Sequence, residues 1–316
     1  MKEKKVKDIQ IRKGMNTNEL IKKLYESGGF TAKKVAQGVD ILENMIKEKN
    51  CVKFLSFPAC IISTGTRGVI NELIKKKYFD IIITTAGTLD HDLARIWKNY
   101  YHGSFMADDK ELYNKGVNRL GNIFIPNECY GKILEEKIQP ILKELGEKKQ
   151  KWSTKDLIWE FGKKLENEKN CKESITYWAW KNKIPIYIPG ITDGAFGSQI
   201  WMYYQDHRDF TIDLLKDEQD LSDTIFSAKK SGALILGGGI SKHHTIWWNL
   251  FKGGLDHAVY ITTAVEYDGS LSGAQTREAI SWGKIKEKAD YITIDGDATV
   301  ILPLMISALF ERSLPK

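Results

Sequence analysis

The chain has 316 residues, of which 42% are hydrophobic and 28% charged, and its formal net charge is +6 at pH 7. This composition is typical of a globular protein with a sizeable core, and it excludes a largely disordered chain. The mild positive charge forms no arginine block, so we predict no nucleic-acid partner, and no apolar run is long enough to cross a membrane.

The cysteines and the N-terminus give a prediction of location. Cys51, Cys60, Cys129 and Cys171 are far apart and have no neighbouring histidine at metal-ligand spacing, so we predict neither a metal site nor a disulfide framework. The charged N-terminal residues are not followed by the apolar core of a secretory signal. These features favour the reducing cytoplasm.

Two helices are predicted at the start of the chain. The first runs from about Asn16 to Ser27 and is closed by Gly28; the second follows Thr31, a candidate N-cap, and runs to about Lys49. We interpret residues 1–50 as a helical N-terminal segment and residues 51–316 as a single α/β domain.

Short, continuously apolar strands alternate with helical segments from Val52 onward. Each strand runs into a turn that carries glycine or aspartate, a pattern typical of a parallel sheet covered by helices on both faces. The fold class predicted is therefore α/β with a doubly wound, mostly parallel sheet. The clearest strands are 79–84, 184–188, 233–236, 259–263 and 291–294. A charged helical stretch with several tryptophans, at about 133–183, is interpreted as an insertion or packing layer.

The turns that follow these strands are candidate ligand contacts, because ligands of such sheets lie at the carboxyl ends of the strands. Gly237–Gly239 would let the backbone approach a phosphate, although a tight turn also requires glycine. The segment 85–87 has the same two interpretations. Asp193, Asp268 and Asp297 stand beside glycine, where a carboxylate binds a ribose hydroxyl or simply caps a turn.

The segment from Glu266 to Lys284 combines a glycine-serine loop with a carboxylate, an indole and a lysine. A lysine becomes nucleophilic when burial or nearby positive charge destabilises its ammonium. Trp282 and Glu278 would hold a cationic amine by cation–π attraction and by charge. A solvated surface lysine is the alternative. In Lys242-His243-His244, at most one histidine would be catalytic, and a polar helix start is the other interpretation.

Together these residues resemble the deoxyhypusine synthase family, and the resemblance extends from about Gly28 to Phe310. It rests on six ordered motifs, which are the segments 281–284, 237–244, 192–194, 84–87, 118–122 and 125–128. The resemblance implies a Rossmann-like NAD-binding fold and a homotetramer with active sites shared between subunits. It also implies transfer of the butylamine part of spermidine, as an imine on an enzyme lysine, to one lysine of translation initiation factor 5A.

The resemblance assigns roles to individual positions. Lys284 would be the covalent carrier and His243 would assist proton transfer at the substrate nitrogen. The substrate-binding residues would be Glu278, Trp282, Gly269, Ser270 and Asp90. The NAD contacts would be Ser63, Thr85, Ala86, Gly87, Asp193, Gly238, Thr263, Ala264, Asp268, Asp297 and Ala298.

Several positions depart from the pattern of the family. Leu271 and Ser198 stand where aspartates are expected to hold the polyamine, and a polycation pocket with fewer carboxylates binds more weakly. Asp90, Asp92 or Glu266 would compensate for the negative charge that is missing at these two positions. Two alternatives therefore stay open, a homospermidine-synthase-like enzyme with a small amine acceptor and a non-catalytic NAD-binding homologue.

A further question concerns the second lysine of the glycine-rich segment. Lys242 lies beside His243, and the sequence leaves open whether it can act as an alternative carrier.

Overall fold

A computed structural model describes residues 4–312 of the chain. The helices are, in chain order, α1 (Thr17–Ser27), α2 (Phe30–Lys47), α3 (Thr66–Lys75), α4 (Gly87–Trp97), α5 (Asp109–Asn114), α6 (Gly131–Lys148), α7 (Thr154–Lys164), α8 (Ile175–Asn182), α9 (Ala195–Asp206), α10 (Leu214–Ser227), α11 (Ile240–Leu250), α12 (Thr276–Ser281) and α13 (Ala298–Glu311). The strands are β1 (Cys51–Ser56), β2 (Ile81–Ile83), β3 (Tyr101–His102), β4 (Val117–Leu120), β5 (Ile123–Pro126), β6 (Lys151–Trp152), β7 (Ile186–Tyr187), β8 (Thr211–Ile212), β9 (Lys230–Leu236), β10 (Leu255–Thr262) and β11 (Ile285–Asp295).

The chain divides into two compact units. The first contains the residues up to Ser56 together with those from Ser222 onward, and the second is Phe57–Leu221. Neither boundary coincides with the predicted division at residue 50. The N-terminal helices belong to the same unit as the C-terminal residues, because α2 packs on β10, β11 and α13.

The first unit is built on four parallel strands in the order β11-β10-β9-β1. β9 and β10 are buried along almost their whole length, as expected for strands covered on both faces. The predicted α/β fold class is thus confirmed.

One face of this sheet is covered by α2 and α13. A Cβ added at Gly38 of α2 would lie 2.6 Å from the Cδ1 atom of Ile294 and 2.9 Å from the Cε atom of Met305. The helix therefore approaches the sheet closely because Gly38 has no side chain. Burial of this apolar face supplies much of the stability of the unit.

The opposite face is covered by α11 and α12. Val259 of β10 lies near Gly38 of α2, whereas the ring centroid of the next residue, Tyr260, lies 4.3 Å from the Lys242 ammonium of α11. Thr293 of β11 accepts a hydrogen bond from the backbone N–H of Thr276, at 2.9 Å. Since side chains alternate along a strand, helices on both faces follow directly from the sequence of β10 and β11.

The second unit contains the parallel pair β2–β7, the antiparallel sheet β3-β5-β4 and the parallel pair β6–β8. The predicted helical stretch at 133–183 corresponds to most of α6 together with α7 and α8. Asp92 of α4 caps α8 by accepting hydrogen bonds from the backbone N–H groups of Ile175 and Thr176.

The predicted N-cap of the second helix was wrong. Gly28 ends α1 in the left-handed conformation, with φ of 68°, and Gly29 is the N-cap of α2. Thr31 lies inside the first turn, because the chain re-enters helical conformation directly after the two glycines. Asn16 does cap α1, by accepting a hydrogen bond from the Glu19 N–H.

Candidate active site

The glycine-rich turn between β9 and α11 forms one part of the candidate site. Gly237 and Gly238 have φ of 52° and 92°, which other residues rarely adopt. A Cβ at Gly238 would also lie 2.7 Å from Ser241 Oγ, whereas one at Gly239 would meet nothing within 4 Å. The turn therefore requires glycine at positions 237 and 238, whereas the N-terminus of α11 is uncovered on the side of Gly239.

The turn after α12 determines where Lys284 lies. The N–H of Gly283 donates to the carbonyl of Ile280, and the N–H of Lys284 donates to the carbonyl of Ala279, both at 2.9 Å. Gly283 has φ of 70°. These two bonds and the left-handed glycine form a Schellman motif, which reverses the chain at the end of a helix. The Trp-Gly-Lys sequence thus folds Lys284 back toward α12.

Lys284 is buried, with 7% of its surface exposed. Its Nζ atom lies 5.1 Å from the ring centroid of Trp282 and 5.7 Å from that of Trp247, within the range of cation–π attraction. Between residues 4 and 312, the structure gives Lys284 no ion pair with a carboxylate. The amino group is therefore sheltered by two indoles and is not neutralised by an acid.

A cavity of about 260 Å³ surrounds this amino group. Glu278 is its single carboxylate, and Leu271 contributes an apolar side chain. The cavity is lined by Lys242, His243, Ile246, Trp247, Tyr260, Leu271, Ala274, Gln275, Glu278, Ala279, Trp282 and Lys284. The structure thus brings four predicted site residues, Lys284, His243, Glu278 and Trp282, into one cavity.

The electrostatics of the histidines follow from their surroundings. Burial lowers the pKa of His243, and the nearby charge of Lys284 lowers it further. The ring of His243 stacks on Trp247, with centroids 5.6 Å apart. Burial and the charge of His243 lower the pKa of His244 to about 4. Both imidazoles are therefore neutral at neutral pH, and only His243 lines the cavity.

Lys242 is the second lysine of the cavity and is 2% exposed. Its Nζ atom donates to the carbonyl oxygens of Leu271 and Ala274, each at 2.7 Å. Burial lowers the pKa of Lys242 to about 8, and the charge of Glu278 opposes that shift. The two lysines therefore differ, because Lys242 is hydrogen-bonded to backbone and Lys284 lies between indoles.

A second cavity, of about 370 Å³, lies at the carboxyl ends of β10 and β11. Thr263 and Ala264 line it together with Asp295 and Gly296. This is the edge of the sheet at which parallel α/β folds bind ligands.

A family model described as deoxyhypusine synthase matches residues 19–309 of the chain. The chain is 58% identical over 306 residues to the "Probable deoxyhypusine synthase" of Picrophilus torridus, with 97% of each protein covered. It is 55% identical over 302 residues to the protein of that name from Thermoplasma acidophilum, with 96% of each covered. The chain belongs to the deoxyhypusine synthase family.

The fold of the chain is also found in a crystal structure. A candidate deoxyhypusine synthase from Entamoeba histolytica superimposes with a TM-score of 0.68 over 98% of this chain and 99% of that one, at 22% identity. At this identity the likeness concerns the fold alone.

The other residues predicted to bind substrate, Gly269, Ser270 and Asp90, do not line the cavity. Gly269 and Ser270 are exposed, and the Ser270 N–H donates to Asp268. Asp90 of the second unit is 1% exposed and accepts hydrogen bonds from Tyr130 Oη and from the N–H groups of Ala195 and Phe196. Because these bonds use both carboxylate oxygens, the structure favours a helix-capping role for Asp90.

The predicted cofactor contacts of the first unit have different environments. Asp297 caps α13 by accepting a hydrogen bond from the Thr299 N–H, at 2.8 Å, and Ala298 is the first residue of that helix. Asp268 is exposed and forms a local turn with Ser270, which lowers its pKa. Gly238 lies in the glycine-rich turn.

The predicted cofactor contacts of the second unit surround the start of α4 and the turn before α9. Thr85 Oγ1 accepts a hydrogen bond from the Ala59 N–H, and Ser63 Oγ donates to the Cys60 carbonyl. Ala86 caps α4 and Gly87 begins it. Asp193 is exposed. Their part in cofactor binding stays a prediction.

Sequence analysis missed Tyr260, Ile246 and Gln275 as cavity residues. Tyr260 and Ile246 belong to apolar runs, and such runs do not indicate which side chain faces a ligand. The Tyr260 hydroxyl is buried without a hydrogen-bond partner in the described chain, a signal that only the structure contains.

The structure also bears on the predictions about membranes, metals and cysteines. No helix within residues 4–312 combines the length and apolarity of a membrane span. In the same range there is no group of three candidate metal-ligating side chains. No disulfide joins any two of the four cysteines within the described residues.

Proposed function

We propose that this member of the deoxyhypusine synthase family is an NAD-dependent aminobutyltransferase that uses spermidine as donor and a lysine of translation initiation factor 5A as acceptor. The observation that carries the proposal is the position of Lys284, 7% exposed between two indoles in a cavity with one carboxylate. The family membership supports the same conclusion.

The chemistry proposed for Lys284 is imine exchange. Its free amine attacks the carbon of an imine that oxidation of spermidine generates, and a new C–N bond forms at Nζ. The bond from that carbon to the departing amine then breaks, and the departing nitrogen takes up a proton. The aminobutyl group is left on Lys284 as an imine, and the acceptor lysine removes it by a second exchange of the same kind.

His243 is suited to the proton transfers of these exchanges. Its pKa is lowered mainly by burial, so a neutral imidazole is available to accept a proton from a substrate nitrogen. Stacking on Trp247 holds the ring at the cavity. His243 would thus take protons from the attacking amine and return them to the departing one.

The rest of the cavity is suited to an aliphatic amine. Glu278 would pair with an ammonium group, and Trp282 would line the methylene chain and attract the cation. Desolvation and the nearness of two lysines also favour loss of a proton from one nitrogen of the bound amine. The apolar Leu271 leaves Glu278 as the single acidic contact within this cavity.

The first unit offers groups that fit a dinucleotide. The open side of Gly239, at the N-terminus of α11, is suited to a phosphate, and Ser241 Oγ is buried there without a partner in residues 4–312. Thr263 and Ala264 line the neighbouring cavity. When bound, NAD would accept a hydride from the amine-bearing carbon and return it to the product imine.

The remaining parts of the proposal are a homotetramer and a cytoplasmic location, with no nucleic-acid partner. The resemblance described above supports the homotetramer, and cysteines without a disulfide in the described residues agree with a reducing compartment.

A borohydride-trapping experiment tests the role of Lys284. The purified protein is incubated with NAD and spermidine, reduced, digested and analysed by mass spectrometry. We expect an aminobutyl adduct on Lys284, no adduct in Lys284→Ala, and unchanged NAD binding by that variant. Lys288→Ala, which removes an exposed lysine of β11, the strand that begins directly after Lys284, is the matched control. Normal transfer by Lys284→Ala would refute the proposal.

The acceptor is tested in the same reaction. Labelled spermidine is supplied with either translation initiation factor 5A or putrescine. We expect label in the factor. Label in a small product alone would instead identify a homospermidine-synthase-like enzyme, and absence of any adduct or transfer would favour a non-catalytic NAD-binding protein.

A further inference from the structure

Lys242 has an environment that is unusual for a charged side chain. It is 2% exposed, and a buried ammonium is unfavourable unless it is paired or hydrogen-bonded. Within residues 4–312 the structure gives it no ion pair. Its hydrogen bonds go instead to the backbone carbonyls of Leu271 and Ala274, each at 2.7 Å.

Besides these two carbonyls, the Lys242 amino group contacts the ring of Tyr260, whose centroid lies 4.3 Å from Nζ. The ammonium thus has two carbonyl acceptors and one aromatic face, which together satisfy its three N–H groups. A neutral amine still has two N–H groups, enough for the two carbonyls. The contacts with Leu271 and Ala274 therefore do not depend on the charge of Lys242.

The two carbonyls belong to the segment 266–275, which is the larger part of the connection from β10 to α12 and which we call the cavity loop. Leu271, Ala274 and Gln275 of this loop line the cavity. The loop leads directly into α12, which carries Glu278. A residue that fixes the loop therefore fixes the wall of the cavity and the start of the helix that bears its carboxylate.

We propose that Lys242 is a positioning residue that holds the cavity loop against α11, so that the amine-binding wall is formed before the amine enters. It is not a second covalent carrier. The proposal rests on the proposed function in taking the cavity as the amine site, but the contacts of Lys242 with the loop do not. Lys284, which the described chain provides with neither carboxylate nor carbonyl partner, is the carrier.

Hydrogen exchange of the full-length protein tests the anchoring. Lys242→Met keeps the length of the side chain but removes its donors, and we expect exchange in residues 270–276 to accelerate about tenfold or more. Exchange in β9 should change little. Lys242→Arg restores donors and should restore protection. Lys252→Met, which alters another buried lysine of the same unit, should leave the cavity loop unchanged.

Two results would overturn the anchoring. Unchanged protection of residues 270–276 in Lys242→Met would show that the two hydrogen bonds do not hold the loop. Equal acceleration in β9 and in the loop would show that Lys242 only stabilises the unit as a whole.

Trapping and kinetics separate the anchor from a carrier. We expect Lys242→Met to form the adduct on Lys284 and to raise KM for spermidine more than it lowers kcat. We expect no adduct on Lys242 in Lys284→Ala, and an adduct there would refute the assignment. If the wild-type protein forms no adduct at all, the proposed function fails, whereas the exchange experiment still decides the anchoring.

Discussion

At the scale of single residues, the cavity depends on how the backbone aims a few side chains. Gly283 adopts a left-handed conformation, and this conformation turns Lys284 back toward Trp282. The sequence motifs singled out Lys284, Trp282, Glu278 and His243, which line one cavity, and their catalytic and binding roles stay predictions. The motifs did not show that Asp90 and Asp297 accept hydrogen bonds at helix N-termini, because an aspartate that caps a helix and one that binds a ligand have the same sequence context.

Glu278 gives a prediction at this scale. Glu278→Gln removes the single carboxylate of the cavity, and loss of a charge-assisted contact costs roughly 1.5–3 kcal/mol. We therefore expect KM for spermidine to rise about tenfold or more, with a smaller effect on kcat. Glu287→Gln, an exposed position of β11, is the matched control. Equal KM values for wild type and Glu278→Gln would exclude this carboxylate from amine binding.

At the scale of elements, the apolar strands were predicted well because burial on both faces leaves a continuous signal. β9 and β11 each include a predicted strand, and β10 contains all but the last residue of the strand predicted at 259–263. Their lengths were underestimated, since the first residues of β11 are largely exposed and polar. The start of α2 was misplaced because Gly29, not a side-chain cap, begins that helix.

Close packing of α7 and α8 gives a prediction for these elements. A Cβ at Gly162 of α7 would lie 2.5 Å from the backbone oxygen of Thr176 and 2.6 Å from Trp180 Cβ. Gly162→Ala must therefore push α8 away, and we expect a loss of about 1–3 kcal/mol in the free energy of unfolding.

The matched control is Gly68→Ala, in an exposed turn of α3 where an added Cβ meets nothing within 4 Å. This change should stabilise the protein by roughly 0.5–1 kcal/mol, because alanine restricts the unfolded chain more than glycine does. Denaturant unfolding measures both. A Gly162→Ala protein as stable as wild type would contradict the close approach of the two helices.

At the scale of the whole molecule, the division into two units could not be read from the sequence. The first unit joins residues before Ser56 to residues after Ser222, and such long-range pairing leaves no local pattern. The Cys51–Lys230 register between β1 and β9 is an example. Periodicity predicted a strand within β9 and a change to apolar strands from Val52, but it did not indicate that residues 51–56 pair with β9.

The pH dependence of stability is a property of the whole molecule to which His91 contributes. Burial, together with the charge of Arg95, lowers the pKa of His91 from 6.5 to about 4. The unfolded chain therefore binds more protons between these values, so stability is present above about pH 6.5 and is lost as the pH falls toward 4. For one such histidine the loss is roughly 3 kcal/mol.

Urea unfolding at pH 7 and pH 4.5 checks this expectation. His91→Gln should lose less stability between the two pH values than the wild type does, whatever its stability at pH 7. His102→Gln, at an exposed position, should keep the wild-type difference. If His91→Gln keeps the full difference, the acid sensitivity has another origin.

The split of the first unit in the sequence has a consequence for synthesis on the ribosome. Domains of a nascent chain generally fold in the order in which they emerge. The continuous segment 57–221 emerges complete while β1 still lacks its partner β9. Of the two units, the one that carries Lys284 is therefore completed later, and a chain released before residue 284 would lack the amine that we propose as the covalent carrier.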